Sequence, residues 1–187
     1  MITVTACIIT GREMVKRAMY ATMGREYVGD TVSDATMLAL LKPRHSPIEE
    51  YRFWFDLIVP ERVHTHIVRH EEIGKYVASS RPDLAYCTPI ADGHRQMSLS
   101  IDAKRLIEIM MQRLCFKAWG ETREVFVAMR NAVIQLDPVF STVLVPQCVW
   151  YGFCPEHSAK RPGCGYNKSL AFEKERNALV KEKASHG

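Results

Sequence analysis

Between residues 64 and 71 the chain runs His64-Thr65-His66-Ile67-Val68-Arg69-His70-Glu71, and after seven more residues it reads Ser79-Ser80-Arg81. If the first run is helical, His66 and His70 fall at i and i+4, and His66, Arg69 and His70 share one face. Ser79 and Arg81 add a hydroxyl and a guanidinium, groups that grip phosphate with directional hydrogen bonds. Together these residue types could bind an anion or a nucleotide. The same residues could equally form a solvated helix end with scattered histidines, and the spacing alone leaves both readings open. His66 and His70 also make half of a metal site, but no third ligand stands at a defined distance from them.

A second group of candidates lies further along. Cys148, Cys154, His157 and Cys164 are separated by five, two and six residues. They could assemble a Cys3His zinc site, although the outer spacings exceed those of common zinc fingers, and the expectation is that no metal is bound. Lys160-Arg161 with Trp150, Tyr151, Phe153 and Tyr166 could touch nucleic acid. Packing of a loop rich in Gly and Pro accounts for the same residues more simply.

Elements must position these groups. Residues 2–10 predict a β-branched strand, and Met14, Ala18, Met19 and Met23 recur at helical spacing over residues 12–23. Residues 24–31 read as loop. Ser33 predicts the N-cap of a short helix through Leu41, ended by Pro43. From Glu50 to Val59 apolar and polar residues alternate, the pattern of a half-buried strand. Pro60 suits the first turn of a helix running toward His70. Residues 74–98 read mostly as loop. Ser100 or Asp102 then begins the clearest helix, with Leu106, Ile109, Met110, Arg113 and Leu114 on one side. Another follows over residues 118–136 and stops before Asp137-Pro138. Residues 146–166 form a Cys-rich loop segment, and 168–187 hold a polar C-terminal helix. The expected class is α/β (α+β), a small sheet with packed helices, in one domain over residues 1–187.

Composition narrows the functional classes. The 187 residues carry 25 Lys plus Arg against 21 Asp plus Glu, and 47% are hydrophobic. That balance predicts a globular chain with a real core rather than a disordered one. A net charge of +4 suits anionic small molecules and is too weak alone to argue for nucleic acid. No stretch approaches the ~18 apolar residues of a membrane span. The first ten residues lack a basic region and a small-residue cleavage site. A cytoplasmic protein with reduced cysteines is expected.

The order of motifs resembles one family. Arg69-His70-Glu71, seven residues, then Ser79-Ser80-Arg81 is similar to the Arg-His-Arg, seven residues, Ser-x-Arg signature of flavin-dependent thymidylate synthases. Ser46-Pro47-Ile48-Glu49 resembles that family's Thr/Ser-Pro-x-Glu segment, and the aromatic strand Phe53-Trp54-Phe55 follows it. Downstream, Asp102-Ala103-Lys104-Arg105-Leu106, Gln112-Arg113-Leu114 and Ala118-Trp119-Gly120-Glu121 resemble the family's Asn-Ala-Arg-Ser-Leu, Leu-Arg and Ala-Gln-x-Glu helix pair. The likeness covers roughly residues 44–135.

The resemblance implies a small twisted sheet with packed helices, and a homotetramer in which FAD and dUMP share sites at subunit interfaces. Methylenetetrahydrofolate would supply one carbon and NADPH would reduce the flavin, converting dUMP to dTMP. Carried over by position, Arg113 is the catalytic group, holding the pyrimidine and favouring its N3-deprotonated form. His66, Arg69, Ser79, Ser80 and Arg81 complete the nucleotide site. Ser46, Arg69, His70, Glu71, Asp102 and Glu108 fall at the flavin positions. A guanidinium beside a pyrimidine stabilises the anion, which pushes electron density to C5. Flavin hydride removes the need for a cysteine nucleophile.

Five positions depart from the pattern. Glu71 replaces an arginine where flavin phosphates are expected; at ~4 Å and an effective dielectric of about 20, a reversed charge pair matters by several kcal/mol before screening. His66 replaces a Gln, Val77 a Glu, and Asp102 and Glu108 replace Asn. An acidic side chain accepts from a cytosine amino group more readily than from a uracil carbonyl. The chemistry could therefore act on dCMP or UMP, with methyl or hydroxymethyl transfer. A non-catalytic, zinc-stabilised module for nucleotides or nucleic acid is the reading from another class.

Overall fold

The computed structural model describes residues 2–79, 93–158 and 160–181. Its centre is a four-stranded sheet in the order β1-β2-β4-β3, formed by β1 (Thr3–Thr10), β2 (Arg52–Pro60), β3 (Gly74–Val77) and β4 (His94–Asp102). Every neighbouring pair is antiparallel. Among the described residues seven α-helices accompany it: α1 (Arg12–Thr22), α2 (Asp34–Leu41), α3 (Glu61–Val68), α4 (Ala103–Arg113), α5 (Gly120–Leu136), α6 (Gln147–Tyr151) and α7 (Leu170–Val180). The mixed α/β class expected from the sequence is the class observed.

Strand period explains the layering. Phe53, Phe55, Leu57 and Val59 alternate along β2 and are fully buried. Across the register, Phe55 faces Ala6 on β1 and Leu99 on β4, while Leu57 faces Val4 and Met97. These side chains point to the helices, and each large one contributes roughly 1.5–3 kcal/mol by leaving water. The intervening positions Thr5, Cys7, Asp56 and Tyr76 are exposed on the opposite face. Trp54 and Tyr76 stack there at 5.1 Å.

Strand β4 corrects the sequence reading of residues 74–98 as loop. Its inward residues Met97, Leu99 and Ile101 are buried. Its outward residues Gln96, Ser98 and Ser100 are small or polar and imitate loop composition, although the period of two is intact. Pairing with β2 along nine residues makes it an inner strand. Asp102 ends the strand and caps the next helix, its side chain accepting from Arg105 N at 2.9 Å. Ser33 caps α2 in the same way. Asp102→Ala should lower stability by about 1 kcal/mol, read as a lower urea midpoint at unchanged slope.

The end of the sheet where β2 begins is fastened by a buried carboxylate. Asp137 is 5% exposed. Arg12 donates to both its oxygens, Nε to Oδ2 at 2.8 Å and Nη2 to Oδ1 at 2.6 Å. The Tyr51 hydroxyl donates to Oδ2 at 3.0 Å, and Val139 N donates to Oδ1 at 3.3 Å. Burial beside this carboxylate pushes the Tyr51 phenol well above its ordinary range. The Arg12 pKa is raised by its bond to Asp137. The network joins α1, the start of β2 and the end of α5. No helix among the described residues is long and apolar enough to cross a membrane.

Candidate functional site

Helix α3 stops at Val68, earlier than the sequence reading required. Arg69 caps it, and His70 N closes a last turn on Ile67 O at 3.1 Å. Lys75, from β3, donates to Val68 O at 3.0 Å and His70 O at 2.7 Å. A cation on the last carbonyls of a helix satisfies acceptors that have no partner within it. His70 is thereby fixed beyond the helix end, and its ring meets α4.

There it meets Arg113, the last residue of α4. Arg113 Nε donates to His70 Nε2 at 3.2 Å, and Nη2 lies 3.1 Å from the same nitrogen. Both side chains are half-buried. Burial first, then the charges of Arg113, Arg105 and Lys75, push the His70 pKa down to about 4. The imidazole is therefore neutral near pH 7 and acts as an acceptor. Burial also lowers the pKa of Arg113. Among the described residues no carboxylate pairs with Arg113. The arrangement offers an anion a two-donor fork whose present partner is uncharged.

Arg105 lies two turns before Arg113 on α4, ion-paired with Glu72 at 3.2 Å and Glu108 at 3.1 Å. Lys104 pairs with Glu49 at 2.6 Å. Glu49, Glu72, Asp102, Lys104, Arg105 and Glu108 line a cavity of about 210 Å³. Four carboxylates face two cations, both already paired. Among the flavin positions, Ser46, Arg69 and Glu71 are exposed, whereas Asp102 is occupied as a helix cap and Glu108 by Arg105. Arg69 and His70 suit a phosphate and a ring edge. The carboxylate-rich corner does not suit the pyrophosphate of a flavin dinucleotide. The Arg113 fork thus suits a nucleotide anion, and Ser46, Arg69 and His70, rather than this corner, are the groups that could hold a flavin.

His66 goes elsewhere. Its Nδ1 lies 2.8 Å from Thr122 Oγ1, and its ring meets Trp119 edge-on at 5.3 Å. Arg62 lies over Trp119 at 5.0 Å and pairs with Glu121. The shared face expected for His66, Arg69 and His70 is not formed: α3 ends before His70, so His66 is bound to α5 and His70 to α4. An open cleft of about 730 Å³, lined by Glu61, Arg62, Thr65, His94, Glu121 and Glu124 among others, lies beside this contact. Its three carboxylates make it a poor phosphate site.

Ser79 is exposed after β3. Ser80 and Arg81 lie outside the described residues, as does Cys87. Cys148 is buried on α6, and burial together with Cys115, Cys164 and Cys154 pushes its thiol up to about 11. His157 Nδ1 accepts from Gly163 N at 3.1 Å. Among the described residues no three His, Cys, Asp or Glu side chains are grouped so as to hold a metal ion.

The sequence reading missed Lys75, Arg105, Thr122 and Trp119 as groups that set the site. Arg105 had a signal: eight residues before Arg113, it returns to the same side of a helix. Lys75 had none, because only the pairing of β3 with β4 returns it to the end of α3.

No family model matches the chain, and no curated protein matches it. Among solved structures it is similar to a UMP/dUMP methylase, PolB, from Streptomyces cacaoi, bound with 5-Br dUMP. The TM-score is 0.59 at 16% identity, covering 78% of this chain and 97% of that one. At that identity the likeness establishes a shared fold.

Proposed function

We propose that this protein is a methyltransferase that transfers a one-carbon unit to C5 of a pyrimidine nucleotide, with dUMP as first candidate and dCMP or UMP as alternatives. The observation that carries the reading is the Arg113 fork, half-buried, directed at a neutral acceptor and flanked by Arg105 and Lys75. A pyrimidine deprotonated at N3 would replace His70 as the fork's partner. Its negative charge would then be stabilised next to Arg113, and electron density would rise at C5. The fold shared with a UMP/dUMP methylase supports the same class of substrate.

Reduced flavin is the hydride source that the family resemblance carries, with methylenetetrahydrofolate as carbon donor and NADPH as reductant. Arg69, His70 and Ser46 are the residues here that would face it. The chain's own contributions are separate: Arg113 binds and polarises the base, and Lys75 fixes the His70 backbone. Ser79, Ser80 and Arg81 are assigned to the nucleotide phosphate, and a homotetramer that completes the site belongs to the same reading. Location in the cytoplasm is part of it.

Titration of the purified protein with FAD, followed by dUMP, UMP and dCMP, tests this by visible absorption. A flavin spectrum perturbed by one nucleotide is the expected result. A protein that takes up no flavin and binds no nucleotide would contradict it. Glu71→Arg should tighten flavin binding about tenfold by replacing a repelling charge with an attracting one. Unchanged affinity would place Glu71 away from the cofactor phosphates.

A further inference from the structure

We infer that His70 is a positioning residue for Arg113: its unprotonated Nε2 holds the guanidinium fork in place and yields it to the incoming pyrimidine anion. The geometry is the argument. Two donors of one guanidinium, Nε and Nη2, converge on a single ring nitrogen at 3.2 and 3.1 Å. A side chain with several rotatable bonds is held in one orientation by that contact, and the backbone that carries the ring opposite it is held by Lys75 through the His70 carbonyl. An acceptor without charge is suited to this task. A carboxylate in its place would compete with the substrate anion for the fork, whereas an imidazole is a weaker partner and is displaced at lower cost.

The surroundings keep the imidazole in the accepting state. From α4, Arg113 and Arg105 face it, and from β3, Lys75; Arg105 is itself paired with Glu72 and Glu108. Protonation would set a fourth cation among these three and remove the lone pair that Arg113 uses. Acid therefore frees Arg113 from its restraint. An anion on the fork reverses the sign: it lessens the positive potential and favours protonation of His70. Nucleotide binding is thus linked to proton uptake at this ring.

The inference rests on the assignment of Arg113 to the pyrimidine, but its test does not need turnover. The Cε1–H resonance of His70, assigned by its loss in His70→Gln, is followed against pH in the full-length protein. In the free protein it should titrate near 4, well below the ordinary 6.5. In Arg113→Met the midpoint should rise toward 6.5, and saturating dUMP should raise it in the unmodified chain. A midpoint near 6.5 in the free protein, or one unmoved in Arg113→Met, overturns the inference. Kinetics give a second reading. His70→Leu should lower kcat/KM about 10²-fold, the loss expected when a reacting group is misplaced by about 1 Å, and His70→Gln should recover most of it by restoring an acceptor. Equal losses in Leu and Gln would mean that the acceptor does not matter. A low, Arg113-dependent midpoint in a protein that binds and converts no nucleotide would retain the His70–Arg113 restraint and sink the functional reading instead.

Discussion

Arg113→Ala should reduce conversion of the pyrimidine nucleotide by about 10²–10³-fold, the usual cost of removing one positioned donor to a developing anion. The loss should fall in kcat more than in KM, because the anion that Arg113 stabilises is fuller in the transition state than in the bound ground state. Arg113→Lys should rescue little. A lysine brings one point charge on a flexible stem, whereas the structure presents two donors of a rigid fork to one acceptor. Folding should change little, since Arg113 is at the end of α4 and bonds only a neutral side chain among the described residues. Retained turnover in Arg113→Ala would remove this residue from the chemistry.

The largest effect on stability is expected at the buried carboxylate beside the start of β2. Asp137→Ala should cost about 3 kcal/mol, because it removes the buried acceptor of the Tyr51 hydroxyl and leaves the Arg12 guanidinium only its bonds to Val32 O and to the exposed Asp34. Denaturant unfolding monitored by circular dichroism would read this as a lowered midpoint. Replacing both charged partners, Arg12→Met with Asp137→Leu, should recover much of the loss, since the only charge that then loses its partner, Asp34, is exposed to water. An additive double variant, as unstable as the sum of its parts, would mean that the two side chains do not act as a pair.

Fold and site were legible to different depths. The alternation of Phe53, Phe55, Leu57 and Val59 identifies β2 because its outward residues include Arg52 and Asp56, whose polarity makes the period visible. The same period in β4 is muted by Ser98 and Ser100, so a strand paired along nine residues passed for loop. The cap residues Ser33 and Asp102 were readable because capping is local chemistry. The Arg12–Asp137 pair was not, being 125 residues apart in sequence. In the site, the motif order pointed to Arg113 and His70 as separate contacts. Their bond to each other depends on where α3 ends, and Lys75 fixes that end from a strand that was read as loop. His66 was assigned to the substrate by position, yet its hydrogen bond is to Thr122, a buried residue with no distinguishing signal in its surroundings.

The central claim is carbon transfer at C5, and release of tritium from that carbon reads it directly. The protein would be incubated with FAD, NADPH and methylenetetrahydrofolate, and in turn with dUMP, UMP and dCMP carrying tritium at C5. Replacement of that hydrogen by carbon must send the label to water. The account predicts release from one nucleotide in proportion to product, abolished in Arg113→Ala. No release from any of the three, with the flavin shown to be reduced, would contradict it.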